Sequence, residues 1–514
     1  MTQTLPSSSA PEKLDRGVLV VAGVVVLGAI MAILDMTVVS IALPTFQTEF
    51  HATYAQVAWT MTGYTLALAA VIPLTGWAAD RFGTKRLYML AVLLFAAGSA
   101  LCSLAWNIES LVGFRVLQGL GGGMLMPLGM TIMTRAAGPE RVGRVMAVLG
   151  IPMLLGPICG PILGGWLIDS ASWHWIFLIN LPIGVVALGY AFFALPKDDP
   201  TPSETFDFLG MVLLSPGLAA FLYGVSSTPE TGTLLAAKVL VPAGIGLALI
   251  VAFVVRSLHG RVAHPLIDLH LFRHRQLTIA TVAMSLFSIA FFGAGLLFPA
   301  YFLQVRGETT LHAGLLLAPQ GLGAMLTMPV CGVLVDRIGP GKIVLAGIAV
   351  IAAGMAVFTQ VGPHTSYAVL LGALFVMGLG MGATMMPIMT SALQTLTDAN
   401  IARGSTLMNI VQQVAGSIGT ATMSVLLTDQ LQNRQLARPA IASWNDPTIA
   451  AQLTPAGVAQ GLAQAADSYG YAFTVATALI VLCLVPAILL PRRKPPVPEG
   501  AGEATAEVAP VLAH

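Results

Sequence analysis

Runs of about twenty consecutive apolar residues follow one another along almost the whole chain, and this succession fixes the solvent in which the protein folds. A helix needs about twenty such residues to cross a hydrocarbon layer about 30 Å thick. Fourteen runs of that length are readable, from 17–43 at the start to 469–490 near the end. The runs at 209–227 and 236–258 are the least sharply bounded, because no polar residue sets their frame. With 56% of 514 residues hydrophobic and only 9% charged, a single water-facing globule is excluded. The run beginning at Gly17 is too long for a cleaved signal and reads as a first membrane span. A formal net charge of +1 argues against a nucleic-acid partner. Cys102, Cys159, Cys331 and Cys483 lie inside apolar runs without ligand spacing, so they read as packing thiols and no metal is expected. No P-loop or nucleotide-binding glycine motif appears, so the expectation is a protein that is not an enzyme and carries no cofactor.

The basic residues orient the spans. With the N-terminus inside, nineteen Lys and Arg fall in inner segments and only Lys238, Arg306, Arg434 and Arg438 in outer ones, with Arg115 inside a span. That asymmetry places both termini in the cytoplasm of a cell whose cytoplasmic membrane the chain crosses. The tail at 1–16 and the Pro/Ala-rich tail at 491–514 are then cytoplasmic, the latter expected to be disordered. A long outer loop is expected at 429–468, and the apolar–basic stretch at 264–276 is expected to lie along the inner membrane surface.

One cluster of charges is written twice. GWAADRFGTKR at 76–86 and GVLVDRIGPGK at 332–342 match at Gly76/Gly332, Asp80/Asp336, Arg81/Arg337, Gly83/Gly339 and Arg86/Lys342, both on inner loops. The chain is therefore internally duplicated. The separation fits eight intervening helices rather than six, so two additional helices sit between the halves, in a linker at 197–275. A carboxylate at a helix end beside Arg81 or Arg337, followed by Lys85 and Arg86 in the first copy, suggests a charge-assisted clasp between neighbouring helix ends.

Charge inside a span is rarer still. Asp35 in the first span and Arg115 in the fourth lie at similar depths, with Gln118 one turn further in. A carboxylate at such depth is costly and ordinarily faces a cavity with work to do. Two readings fit: a structural ion pair with Arg115, or a site that takes up and releases a proton as its surroundings change.

These stretches resemble the major facilitator superfamily, specifically its fourteen-helix drug:H⁺ antiporter branch. The resemblance rests on the two charged loops, on LDMTVVSIALP at 34–44, RVLQGLGGG at 115–123, GIPMLLGPICGPILGG at 150–165 and WHWIFLINLPIG at 173–184. It implies an all-α polytopic membrane protein: two six-helix bundles at 17–196 and 276–490 around a central cavity, plus two additional helices. It further implies export of hydrophobic drugs in exchange for protons, coupled through Asp35 and Arg115, by a protein expected to act as a monomer. An endogenous metabolite, lipid or siderophore is the alternative cargo, and a non-transporting receptor or scaffold a remote one. Within the fifth-span motif, Gly156, Gly160 and Gly164 share a face, interleaved with Pro152, Pro157 and Pro161 and followed by Gly165. The resemblance implies that this bendable face lies between the bundles. Gln118, Gln320, Asn409, Gln412 and Gln413 are candidate cavity residues, and the absence of an acid in spans 10 and 13 favours a neutral or monocationic cargo over a dication.

Overall fold

In the computed structural model the described residues are 15–492, apart from 139–140, 199–204, 232, 234, 260–264, 395 and 445–446. Most of both expected tails therefore lies outside the described residues. The rest is helical, with no strand among the described residues. Thirteen helices are long and apolar enough to cross a membrane. They are α1 (Arg16–Glu49), α2 (Tyr54–Phe82), α3 (Thr84–Ser103), α4 (Ile108–Ala137), α6 (Trp175–Ala194), α7 (Phe208–Ser226), α8 (Ala237–His259), α9 (Arg275–Gln304), α10 (Leu311–Ile338), α11 (Pro340–Phe358), α12 (Tyr367–Leu393), α13 (Asp398–Gln432) and α14 (Pro455–Ile488). Between α4 and α6 runs α5 (Val142–Ser170), 29 residues long, some of whose side chains lie outside the described residues. The architecture is thus consistent with fourteen spans.

Helices α1–α6 pack into one group and α9–α14 into another. Two contacts join the groups most extensively, α2 with α13 and α5 with α10. The duplication maps α2 onto α10 and α5 onto α13, so these two contacts are copies of each other. The additional helices α7 and α8 pack mainly on one another, and α7 lies across the α2–α13 seam. Most of α8 faces away from protein: Leu240, Val241, Ile245 and Val251 are at least half exposed, as suits contact with lipid tails.

Local chemistry sets the helix ends. Thr53 and Gln56 form a reciprocal capping box at the start of α2. Gly83, at φ 94°, ends α2 and begins α3, and Gly339, at φ 83°, does the same between α10 and α11. Only glycine adopts that backbone without strain. Asp207 ties the linker pair together: its carboxylate caps α7 through the Gly210 amide at 2.8 Å and meets Arg256 of α8 at 2.8 Å. It also accepts from the Leu266 amide at 3.3 Å. Burial opposes ionisation of this group, but Arg256 and the two amides outweigh it and hold the carboxyl below its usual range.

Two expectations are corrected. Helix α14 begins at Pro455, well before 469, and α13 continues to Gln432. The outer loop is therefore much shorter than 429–468 and contains the short helices Ala437–Ala442 and Pro447–Gln452. An Ala-rich segment capped by Thr454 stays helical after it leaves the apolar layer. Within 264–276, Leu266, Ile267 and Leu271 are buried among the helices rather than laid on a membrane surface.

Candidate functional site

The carboxylate of Asp35 is fully enclosed midway along α1. Its Oδ2 accepts from Arg115 Nη1 at 2.5 Å, and its Oδ1 accepts from Gln118 Nε2 at 2.8 Å and Asn180 Nδ2 at 3.1 Å. Arg115 and Gln118 lie three residues apart on α4 and so share a face. Arg115 Nη1 also donates to Gln118 Oε1 at 2.7 Å, and its Nε donates to the Thr60 carbonyl of α2 at 3.1 Å. The guanidinium carbon stands 4.1 Å from the centre of the Tyr64 ring, a cation–π arrangement. Asn180, on α6, donates to Ser99 Oγ of α3 at 3.0 Å, and that hydroxyl donates to the Phe177 carbonyl at 2.8 Å. Five helices of the first bundle thus converge on one charge pair. A buried carboxylate persists only with such compensation, here one cation and two amides.

Sequence reasoning identified Asp35, Arg115 and Gln118 but missed Asn180, Ser99, Thr60 and Tyr64. A usable signal existed for Asn180: an amide standing in an apolar run, IFLINLPIG, must find partners once in lipid.

At the end of the bundles that carries the duplicated loops, each Asp of the pair reaches across to the opposite bundle. Asp336 Oδ1 accepts from the Gly143 amide at 3.0 Å and its Oδ2 from Arg144 Nε at 3.1 Å, at the start of α5. Asp80 lies 3.7 Å from Arg403 Nε on α13 and 3.4 Å from Arg135 Nη2 of its own bundle. Glycine permits both approaches: a Cβ on Gly76 would stand 3.1 Å from Thr406 Oγ1, and one on Gly332 would stand 2.9 Å from Ala147. The adjacent arginines expected in the clasp are not its cations. Among the described residues Arg81 and Arg337 have no ion-pair partner, and Arg337 is exposed. The sequence pairs neighbours along the loop, whereas a helix end projects successive side chains in different directions. Lys85 and Arg86 serve another junction: their backbone amides donate to Asp198 at 2.8 and 3.0 Å, while Lys85 Nζ caps the end of α6 at Phe192 and Leu195.

The family profile described as Major Facilitator Superfamily matches residues 25–420. The chain belongs to the major facilitator superfamily. It is 51% identical, over 95% of its length and 92% of the relative's, to the multidrug resistance protein B homolog of Mycobacterium tuberculosis. It is 31% identical to the multidrug export protein EmrB of Haemophilus influenzae over 77% of this chain and 78% of that one. In fold it is similar to the human organic anion transporter MFSD10, with a TM-score of 0.60 at 16% identity, covering 90% of this chain and 99% of that one.

Within this superfamily fold, the fifth-helix glycines lie elsewhere than expected. A Cβ on Gly156 would run into Ile33, one on Gly160 into Thr37, and Gly164 lies against Val38, all on α1 of the same bundle. Thr37 Oγ1 donates to the Gly156 carbonyl at 3.2 Å. The glycine face therefore closes α5 onto α1 beside Asp35, and Gly165 faces open space. Contact of α5 with the second bundle falls nearer the end with the duplicated loops, where Gly143 meets Gly332 and Gly150 meets Met328 and Met386. The side chains of Pro152, Pro157 and Pro161 lie outside the described residues. Of the candidate cavity residues, Gln118 is committed to the ion pair, whereas Gln320 donates to Met381 Sδ at 3.1 Å. Asn409 bridges the bundles, donating to Met130 Sδ at 3.3 Å and to the Ser405 carbonyl at 2.8 Å. Gln412 is buried and Gln413 half-buried on the same helix. No group of His, Cys, Asp and Glu among the described residues is arranged to hold a metal ion.

Proposed function

We propose that the protein is a proton-coupled antiporter that exports lipophilic neutral or monocationic compounds, drugs and antibiotics among them, by alternating access. It acts as a monomer in the cytoplasmic membrane with both ends in the cytoplasm. The observation that carries this reading is the enclosed Asp35–Arg115 pair, a titratable acid and its counter-ion on different helices of a membrane bundle. A proton on Asp35 removes the charge that Arg115 faces and leaves a buried cation uncompensated, so protonation favours a different packing of α1 against α4. The two cross-bundle latches supply the second element, because opening the inner end requires Asp80 to leave Arg403 and Asp336 to leave Arg144. Relatives named for multidrug resistance and export support the cargo class.

The energetics fit one acid. A proton entering down 100 mV and one pH unit supplies roughly 2.3 plus 1.4 kcal/mol. Exchange against a neutral molecule sustains a gradient of roughly several hundredfold, and exchange against a monocation about tenfold per pH unit. The test is proton movement in vesicles on addition of tetraphenylphosphonium, in wild type and Asp35→Asn. Undiminished movement in the variant removes Asp35 from the coupling role.

A further inference from the structure

We propose that Asn180 is a positioning residue for the Asp35 carboxylate, holding its Oδ1 edge so that an incoming proton is directed to Oδ2 and protonation necessarily displaces Arg115. This deepens the antiport reading and rests on it for its physiological meaning. The two carboxylate oxygens are not equivalent. Oδ1 accepts from two neutral amides, Gln118 Nε2 at 2.8 Å and Asn180 Nδ2 at 3.1 Å, while Oδ2 accepts from Arg115. A proton arriving at Oδ1 would set an O–H against two N–H donors that have no lone pair to offer it. A proton arriving at Oδ2 keeps both amide bonds and breaks one, the Arg115 Nη1–H to Oδ2 bond. The carboxyl gains H⁺ from water, the guanidinium stays charged, and that charge now lacks its counter-ion.

Asn180 suits this task better than Gln118. Gln118 is on the helix of Arg115 and is also bonded to it, so it moves with the guanidinium. Asn180 is anchored independently: it is almost completely buried, and its second N–H is spent on Ser99, whose hydroxyl is fixed to the Phe177 carbonyl. The Oδ1 edge is thereby held from α3 and α6 through Asn180 as well as from α4 through Gln118, while the Oδ2 edge is held from α4 alone. Loss of the Arg115 bond then leaves Gln118 as the hydrogen bond from α4 to the carboxylate, while Asn180 keeps α1 tied to α6. The other ionisable groups around the pair are Tyr64 of α2 and Cys102 of α3, and α5 presents Gly156 and Gly160 to α1 at this depth.

The test reads the carboxyl directly and needs no transport. In purified protein, the infrared carbonyl band of protonated Asp35, identified by its loss in Asp35→Asn, is followed against pH. Removing a donor that stabilises the charged form moves the midpoint in Asn180→Ala to higher pH by about one unit, a tenfold change in proton affinity. Asn180→Ser retains one donor and shifts less. Ser99→Ala, which touches the amide but not the carboxylate, also shifts less but in the same direction. An identical midpoint in wild type and Asn180→Ala overturns the proposal. Should Asn180→Ala not fold by thermal unfolding, an unmoved midpoint in Ser99→Ala overturns it. Vesicle transport with Asp35→Asn tests the antiport reading separately, so either can fail while the other stands.

Discussion

The centre of the first bundle and the corresponding place in the second are built on the same helices and filled in opposite ways. Gly76 and Gly332 stand 256 residues apart, and the same step carries Asp35 to Phe291, Arg115 to Leu371 and Gln118 to Leu374. Where α1 meets α4 through a charge pair and amides, α9 carries Phe291, stacked on Phe287 at 5.5 Å, and α12 carries the buried Leu374. The two halves share one architecture, yet of these matched positions only those of the first half carry ionisable side chains. The latches behave differently, because there both copies kept an Asp and both found an Arg on the facing bundle. On the antiport reading proposed above, what the halves share would serve a movement common to both, and what they do not share would serve proton chemistry at one site.

The comparison is broken most severely by making the first centre resemble the second. Asp35→Leu combined with Arg115→Leu should abolish proton-driven export while leaving the fold intact or more stable, since a buried ion pair replaced by apolar side chains is often neutral or stabilising by about 1–4 kcal/mol. Thermal unfolding beside vesicle export checks both halves of that statement. Removing only one partner should do the reverse to stability. Arg115→Leu alone leaves the carboxylate uncompensated and should cost about 3–5 kcal/mol, visible as a lower unfolding temperature.

A finer comparison separates the two latches. Asp336 accepts from an amide and a guanidinium at 3.0 and 3.1 Å across the seam, whereas Asp80 stands 3.7 Å from Arg403. Asp336→Asn should therefore loosen the inner end by about 1–3 kcal/mol, and Asp80→Asn by less, as read by the rate at which a cysteine placed at Ala147 or Thr406 is alkylated. Equal rates in the two variants would show that the copies are energetically equivalent after all. The smallest effect concerns the linker. Because the Asp207 carboxyl is held below its usual range, its contribution is present above about pH 4 and is lost as pH falls through its lowered value. Acidification should then raise hydrogen exchange at the start of α7 before it affects α4, and Asp207→Asn should remove that pH dependence.

Much of this is legible in the sequence. The depths of Asp35 and Arg115 along their spans match, which allows an ion pair between them, and the twice-written loop divides the chain into halves with two helices between. Asn180 and Ser99 were not legible, because a neutral amide or hydroxyl in an apolar run announces that it needs a partner without saying which. Arg144 and Arg403 were readable only as basic residues on inner segments, since the latch joins positions about two hundred or more residues apart in the chain. The spacing of the α5 glycines puts them on one face, but the neighbour that face meets is α1 of the same bundle rather than the second bundle. The start of α14 is not legible because an apolar run measures the thickness of the hydrocarbon, while a helix extends as far as its backbone propensity and caps allow.

The sequence by itself determined the solvent, the helical spans, the internal repeat and the presence of one acid and one base at matching depth. These follow from local composition, because in lipid each segment must satisfy its own backbone and only charge resists burial. Which helix each glycine face would meet, which arginine each loop carboxylate would reach, and which oxygen of Asp35 each donor would hold were decided by tertiary packing alone. Such contacts depend on the rotation of each helix about its axis, and that rotation is chosen by all of its neighbours together.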